Sequence, residues 1–299
     1  MDKSTKKIIR IQHIGGTGNR VFQFFFGRLL QQQVRNAQLI GYDIPLFNLK
    51  SPPPCEIPER HVLIAGKHEF NVGRIVYAMN SDLLDAVTLQ TYSQRMEYLP
   101  DLSDARTLLA SGLNATLGAV VPDDALLIHI RWPQPSDGGH GDYMPLPISF
   151  YKKIVESTGL RPIFMGQTEE GPYFERLKRS IPRAEFWPSA TPLQDFNTIA
   201  NARHIVSSVS SFSWLAAWLS TSAINIHLPV CGLLNPEQRA DVDLLPYPDA
   251  RLRYYQFPVS HWHSTPAQIE SLWSDSQDLL ELKERDVVQL KVAKFRAVI

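Results

Sequence analysis

The chain has 299 residues, of which 44% are hydrophobic and 20% are charged. This is the composition of a globular protein with ample core material, and the length fits two domains of ordinary size. The 30 basic residues offset the 30 acidic ones, which argues against a protein that recruits nucleic acid or an anionic membrane through its overall charge. Any phosphate group must therefore be bound locally.

The cysteines and the apolar runs indicate the compartment. Cys55 and Cys231 are far apart and lie in no Cys-x-x-Cys pattern, so we interpret them as free thiols of a reducing compartment. The N-terminal stretch lacks the apolar segment of a signal peptide, and no run of about 18 apolar residues is present. The sequence predicts a cytoplasmic protein without a transmembrane segment, at most peripherally associated with a membrane, and leaves its oligomeric state open.

A strand, a glycine-rich turn and a helix open the chain. The strand is predicted over residues 7–14, the turn is GGTGNR at 15–20, and a helix over 21–35 carries an apolar stripe at a spacing of three to four residues. Backbone N–H groups at such a helix start can approach an anion or a sugar closely. The turn has neither the dinucleotide-binding nor the P-loop glycine spacing.

Residues 36–124 complete the first predicted domain. We expect a strand at 62–65 and helices around 81–87 and 103–110, joined by polar loops. The turn-forming stretch Pro122-Asp123-Asp124 punctuates the chain. The domain boundary is therefore predicted between Asp124 and Ala125.

An apolar strand follows, beginning at Ala125 and ending at His129, Ile130 and Arg131. His129 and Arg131 are two residues apart, so their side chains leave the same face where the strand ends. Ligands of open α/β sheets sit at this carboxyl edge, and the planar guanidinium suits a diphosphate. On these residues alone, a solvated arginine and a hydrogen-bonded strand histidine remain the alternative.

Helices and strands then alternate in β-α-β-α-β order, which is typical of a second doubly wound domain. Helices are predicted over 148–157, 173–180 and 193–202, and strands over 161–165, 184–187 and 204–208. The last strand leads into Ser210, Ser211, Phe212 and Ser213 at the start of an apolar helix. Serine hydroxyls and N–H groups there can bind an anion, and an ordinary N-cap is the alternative.

A capping-box pattern, Thr265-Pro266-Ala267-Gln268, begins the last predicted segment. We expect one helix after it, with an apolar face formed by Ile269, Leu272, Trp273, Leu279 and Leu280. The predicted domains are thus residues 1–124 and 125–264, with a bracing helix in 265–299.

Three motifs in this order resemble the α-1,2-fucosyltransferases of glycosyltransferase family 11 and, more distantly, the wider GDP-fucose fucosyltransferase group. GGTGNRVFQFFFGRLL resembles the family's GGLGNQMFQYAFGR. IHIR followed by GDY is similar to HVRRGDY, and DFNTIANARHIVSSVSSFSWLAAWL is similar to the family's motif ending in NSSFSWWxAWL. A weaker likeness joins TYSQ to GYFQ, and together these cover roughly residues 7–220.

The resemblance implies a GT-B fold, α/β in class, with two Rossmann-like domains facing a cleft. The acceptor is expected mainly on the first domain and GDP-fucose mainly on the second. The implied reaction is an inverting transfer of L-fucose to a glycan hydroxyl, α-1,2 to galactose, in polysaccharide biosynthesis. The resemblance also implies that the enzyme needs no metal ion or other cofactor. Arginine and the N–H and hydroxyl donors at the start of a helix would neutralise the leaving diphosphate instead.

Residue roles follow from the same resemblance. Arg131 would stabilise the charge developing on the β-phosphate. Apart from the resemblance, an inverting transfer ordinarily needs a general base, and the sequence offers Asp142, Asp137, His140 and Glu97. Asp142 leads because it lies in the motif loop, while plain loop residues and a reaction without an enzymic base remain the alternatives. The donor-binding residues would be Gly16, Gly18, Asn19, His129, Asp195, Ser210, Ser211 and Phe212. Asp195 would accept hydrogen bonds from the guanine edge.

The chain departs from the family pattern at several positions. Trp132, Pro133 and an insertion follow Arg131, Arg20 replaces a glutamine, and Val209 replaces an asparagine. These departures leave open another nucleotide-sugar donor on the same fold, or an inactive relative that binds a glycan or nucleotide. Asp241-Val242-Asp243 and His261-Trp262-His263 are interpreted as a solvated loop and a structural segment, not as metal sites.

Overall fold

The structure, a computed structural model, describes residues 6–66, 68–114, 116–132, 140–168, 171–274 and 279–298. The chain divides into two compact units. The first comprises Met1–Leu113 with Asp241–Leu244, and the second comprises Asn114–Ala240 with Leu245–Ile299.

The first unit contains a parallel sheet that, within the described ranges, has four strands in the order β2-β1-β4-β3. The strands are β1 (Lys7–Ile11), β2 (Ala37–Ile40), β3 (His61–Ala65) and β4 (Ala86–Gln90), and the helices are α1 (Thr17–Gln33), α2 (Val72–Asn80) and α3 (Leu102–Leu108). Ile9 on β1 pairs with Leu39 and Val87. The predicted stripe on α1 is buried, with Phe22, Phe26 and Leu30 fully inaccessible.

The helix predicted around residues 81–87 is wrong. Residues 86–90 form β4, which lies between β1 and β3 and is bonded on both sides. Backbone hydrogen bonds to two neighbouring strands outweigh the local helical pattern. Asp82, with a φ of 56°, lies in the turn that follows α2.

The second unit contains a sheet in the order β11-β10-β9-β8-β5-β6-β7 across the part of the chain that is described. Its strands are β5 (Ala125–Ile130), β6 (Arg161–Gly166), β7 (Glu185–Phe186), β8 (His204–Val206), β9 (Asn225–Val230), β10 (Leu252–Gln256) and β11 (Leu280–Leu282). Its helices are α4 (Ile148–Thr158), α5 (Pro172–Ser180), α6 (Pro192–Asn201), α7 (Ser211–Leu219), α8 (Pro266–Ser271) and α9 (Glu284–Val298). The strands from β5 to β10 are parallel.

The strands β7-β6-β5-β8-β9-β10 stand in the 3-2-1-4-5-6 order of the Rossmann fold. β5 is central and every residue in it is buried, which explains its continuous apolar sequence. The α/β class and the two Rossmann-like units predicted from the sequence are confirmed.

The single bracing helix predicted for residues 265–299 is wrong. α8 ends at Ser271, and residues 280–282 form β11, which pairs antiparallel with β10 through Tyr254 and Leu282. The edge of β10 offers backbone partners that a helix over these residues could not use. The predicted boundary at residue 124 also lies inside the second unit, since the Ala119 N–H donates to Thr198 Oγ1 on α6 at 2.8 Å.

Among the described residues, no helix combines the length and the apolar character needed to cross a membrane.

Candidate functional site

The candidate site in the second unit lies at the carboxyl ends of β5 and β8. The chain proceeds from β5 to β6 on one side and from β8 to β9 on the other, so the strand order reverses between these neighbours. Ligands of doubly wound sheets bind in the crevice outside such a reversal. His129, the penultimate residue of β5, and Ser208, two residues after β8, meet here with 2.8 Å between Nδ1 and Oγ.

A network of serine hydroxyls connects β8 to α7. Ser213 Oγ lies 3.0 Å from Ser208 Oγ and 3.1 Å from Ser207 Oγ. Ser210 is the N-cap of α7, and its Oγ accepts a hydrogen bond from the Phe212 N–H at 3.2 Å. The sequence left an N-cap and an anion site as alternatives for these serines, and the N-cap is present. The helix dipole adds partial positive charge at this edge.

His129 is a neutral group in this network. Burial, followed by the positive charge of Arg131, lowers the pKa of His129 to about 4. The Phe212 ring lies 6.3 Å away, centroid to centroid. Gly166, at the end of β6 with a φ of +101°, packs directly against β5. A Cβ at this position would lie 2.4 Å from the Ile130 carbonyl oxygen and 3.0 Å from His129 Nε2, so only glycine fits here.

Arg131 directly follows β5. Its guanidinium carbon lies 4.8 Å from the centroid of the Tyr143 ring, a cation–π geometry. The next residue, Trp132, donates its N–H to Gln167 Oε1 at 2.9 Å and packs against Tyr173. Gln167 thus positions the loop that carries Arg131, a role that the sequence did not reveal.

Asp142, the leading sequence candidate for the base, is only 5% exposed and is engaged by several donors. Arg239 Nη1 lies 2.6 Å from Oδ2, and Gln238 Nε2 donates to Oδ1 at 2.9 Å. Burial by itself raises the pKa of Asp142, but the hydrogen bonds from Arg239 and Gln238 outweigh it and leave this pKa below its ordinary value. A carboxylate held in this way is a weak proton acceptor.

The other acidic candidates have local partners as well. Asp195 lies in the first turn of α6, where Oδ1 accepts a bond from the Ala190 N–H at 3.0 Å. Glu97 forms an ion pair with Arg95, with 2.8 Å between Oε1 and Nε. His140 Nδ1 lies 3.6 Å from Asp142 Oδ2, and Asp137 lies outside the described residues. The role of Asp195 at the base of a nucleotide remains a prediction.

In the first unit, the glycine turn follows β1 and begins α1. Gly15 has a φ of +72°, and a Cβ there would lie 2.1 Å from Asn19 Nδ2, so this position requires glycine. Gly16 is the N-cap of α1 and is exposed, whereas Gly18 and Asn19 are buried. Asn19 Oδ1 accepts a bond from Gln94 Nε2 at 2.8 Å, which ties the turn to the loop after β4.

His13 is the titratable residue at this edge that sequence reasoning missed. Gln23 Nε2 donates to the Ile14 carbonyl oxygen at 2.8 Å, so Gln23 Oε1 is the atom that faces His13 Nδ1 at 2.9 Å. An amide oxygen only accepts, so Nδ1 carries a proton, and in the neutral form of the ring Nε2 holds the lone pair. Nε2 is buried and has no hydrogen-bond partner among the described residues. The signal in the sequence was a histidine two residues before the glycine turn.

The predicted site residues therefore fall into two groups. His129, Arg131, Ser210, Ser211 and Phe212 lie around the carboxyl ends of β5 and β8 in the second unit. Gly16, Gly18 and Asn19 lie at the start of α1 in the first unit.

The two patterns weighed as metal sites have structural roles. Asp243 is not in a solvated loop, because its N–H and carbonyl oxygen bond to Gln94 and Met96 in the first unit. Trp262 is buried and bonds to Gly141, and His261 Nδ1 lies 3.4 Å from Asp142 Oδ1. Across the described ranges, no group of three or more His, Cys, Asp and Glu side chains is arranged to hold a metal ion.

The fold and the site define a two-unit α/β protein whose second unit has a Rossmann-like sheet with a cluster of polar side chains at its reversal point. No protein-family model matches the chain, and no curated protein matches its sequence. Solved structures do match the chain, but their sequence identities and TM-scores are too low to assign it to a family.

Three of these solved structures are heptosyltransferases of Escherichia coli. The dodecameric iron-containing enzyme TibC in complex with ADP-D-β-D-heptose is 12% identical with a TM-score of 0.42, covering 99% of this chain and 77% of that one. ADP-heptose LPS heptosyltransferase II is 13% identical with a TM-score of 0.42, at 97% and 99% coverage. WaaC with ADP is 12% identical with a TM-score of 0.38, at 75% and 87% coverage.

Proposed function

We propose that this protein is a glycosyltransferase that takes a sugar from a nucleotide-sugar donor bound at the carboxyl ends of β5 and β8. The observation that carries the proposal is the meeting of His129, Ser208 and the start of α7 at the reversal point of the sheet. Sheets of this order bind nucleotides at that crevice. The motifs shared with fucosyltransferases include these same segments.

The proposed step breaks the bond between the anomeric carbon and the diphosphate oxygen. The acceptor hydroxyl oxygen forms the new bond to that carbon from the opposite face, and the electron pair of the broken bond remains on the diphosphate. We assign Arg131 to the resulting charge, because a guanidinium donates two parallel hydrogen bonds to phosphate oxygens. The N-terminus of α7 adds stabilisation of the same sign. We therefore propose a transfer that needs no divalent cation.

The proton of the acceptor hydroxyl needs a receiving group. In its neutral form His13 offers a lone pair on Nε2 near the carboxyl end of β1, whereas the Asp142 carboxylate is held by Arg239 and Gln238. We propose His13 as the general base for an acceptor held by the first unit, with Asp142 as the second candidate. Proton transfer to a positioned histidine contributes about 10²–10⁴-fold to a rate.

Two donors are candidates. GDP-fucose is favoured by the three motifs, and transfer to the 2-hydroxyl of galactose is the corresponding product. Another nucleotide sugar is favoured by the departures at Arg20, Trp132 and Val209. An inactive relative that binds a nucleotide or glycan is the third possibility.

The test is calorimetric titration with a panel of GDP-, UDP- and ADP-linked sugars in EDTA. The panel includes GDP-fucose and also ADP-heptose, which is bound in one of the structural neighbours. We expect one donor to bind saturably and to be turned over with a glycan acceptor in EDTA. Binding without transfer to any acceptor or to water favours the inactive relative. If no nucleotide sugar binds, the proposal fails.

The base is tested with His13→Gln and Asp142→Asn in parallel. We expect His13→Gln to lower kcat by about 10²-fold or more and to leave donor affinity within about twofold. Normal turnover in His13→Gln, with loss in an Asp142→Asn variant that still folds, would transfer the role to Asp142.

A further inference from the structure

The first unit has a cavity beside the middle of α1. It is lined by Phe24, Arg28, Tyr42, Asn48, Leu49, Lys50 and Leu108, and its volume is about 500 Å³. Three segments form it: the middle of α1, the chain that follows β2, and the end of α3. Small-molecule sites in proteins have about 300–1,000 Å³, so the cavity is of a size that takes a ligand.

One wall of the cavity is aromatic. The rings of Phe24 and Tyr42 are 5.1 Å apart between centroids and are tilted by 44°. Phe24 is only 3% exposed, so Tyr42 presents the larger accessible ring surface. A flat ring beside aliphatic Leu49 and Leu108 suits a ligand with both C–H and hydroxyl surface, such as a pyranose.

The charged lining groups are both cations. Arg28 and Lys50 line the cavity without any carboxylate among the lining residues, and neither forms an ion pair with another described residue. Arg28 Nη1 donates to Gln31 Oε1 at 2.8 Å. Arg28 Nε is buried and has no hydrogen-bond partner within the described ranges. An anionic group placed in the cavity would give this buried N–H an acceptor.

We propose that this cavity binds an acidic saccharide, that is, a sugar carrying a carboxylate or a phosphate. The acid group pairs with Arg28 and Lys50, and the sugar ring lies against Tyr42. As a statement about the acceptor, this inference rests on the proposed function, since it names the class of glycan that the enzyme glycosylates. The binding itself does not depend on that function.

The experiment is a titration of the full chain, without any donor, by glucuronate, glucose 6-phosphate and neutral glucose. We expect at least one acid to bind about tenfold or more tightly than glucose, because a charge-assisted hydrogen bond contributes on that scale. Comparison of the two acids separates a carboxylate site from a phosphate site. No binding by either acid up to about 10 mM, or equal binding by glucose, overturns the proposal.

Matched variants locate the site. Arg28→Gln and Lys50→Gln should each weaken acid binding by about threefold to tenfold, while Arg74→Gln on α2 removes the same charge from an exposed position outside the cavity and should change nothing. Equal effects of all three would reduce the result to general electrostatics and overturn the site. The nucleotide-sugar panel is titrated separately. If no nucleotide sugar binds but the acidic sugar does, only the proposed function is rejected.

Discussion

His129 Nδ1 and Ser208 Oγ lie 2.8 Å apart at the carboxyl ends of the neighbouring parallel strands β5 and β8. The chain continues from β5 to β6 on one side of this pair and from β8 to β9 on the other. Ser208 Oγ in turn lies 3.0 Å from Oγ of Ser213, the third residue of α7. The reversal point of the second sheet is therefore joined to the start of α7 by a chain of side-chain hydrogen bonds. Such a chain holds the polar groups in one arrangement before a ligand arrives.

The serine network makes a first prediction. Ser213 is fully buried, and Ser213→Ala leaves Ser207 and Ser208 without a shared partner. We expect the free energy of unfolding to fall by about 1–3 kcal/mol, as measured by urea denaturation. Ser222→Ala, in the turn after α7, is a control expected to cost less than about 0.5 kcal/mol. Equal costs for the two variants would contradict a network that stabilises this edge.

Arg131 makes a second prediction. Arg131→Ala should lower turnover of the donor by about 10²–10³-fold, the cost of losing one group that stabilises transition-state charge. Arg131→Lys keeps the charge but loses the planar fork, so we expect an intermediate loss. Arg179→Ala, at an exposed position on α5, removes the same charge elsewhere in the second unit. An Arg131→Ala enzyme with normal kcat would remove Arg131 from the mechanism.

The ion pair between Asp142 and Arg239 makes a third prediction. Asp142→Asn leaves the guanidinium, whose side chain is only 20% exposed, without its carboxylate. We expect a loss of about 2 kcal/mol of unfolding free energy, less than for a fully buried pair because water still reaches Arg239. Asp124→Asn, at a side chain that is 75% exposed, is the control and should be nearly neutral.

The pH dependence of this pair has a definite sign. The pKa of Asp142 is lowered in the folded protein, so the unfolded chain binds the proton more readily. The contribution of the pair is present above the unfolded pKa of about 3.9 and is lost as the pH falls through the lower folded value. The difference in unfolding free energy between wild type and Asp142→Asn should therefore shrink below about pH 4. A difference that shrinks near neutrality instead would place the titration on another group.

Two buried histidines make a fourth prediction. Burial lowers the pKa of both His129 and His227 to about 4, below the unfolded value of about 6.5. Between these values only the unfolded chain takes up the protons, so stability falls as the pH decreases from 6.5 to 4. We expect a loss of about 1.5 kcal/mol per histidine between pH 6.5 and pH 5.

Denaturation of His227→Gln at both pH values measures this loss. The variant keeps a polar side chain opposite Tyr255, the hydrogen-bond partner of His227 Nδ1, and should show about half of the wild-type pH effect. His61→Gln, at an exposed position on β3, should retain the full effect. A pH effect unchanged in His227→Gln would show that this histidine titrates normally in the folded protein.

Periodicity and order along the chain were enough to predict much of the architecture. The stripe on α1, the buried strand β5 and the α/β alternation after it all lie where the sequence places them, because short-range patterns report which face of an element is apolar. The serine cluster was likewise recognised as a helix start. The prediction was wrong at β4 and β11, where pairing with β1, β3 and β10 decides the conformation and that pairing is not local information.

The chemistry of the site depended on tertiary contacts to a greater extent. The sequence by itself determined that a histidine and an arginine emerge from β5 and that serines begin α7. Only the folded chain decided that Asp142 is held by Arg239, 97 residues away, and that Gln23 sets the proton of His13 on Nδ1. Charge state and tautomer follow from which groups lie within about 3 Å, and spacing along a chain does not encode those distances.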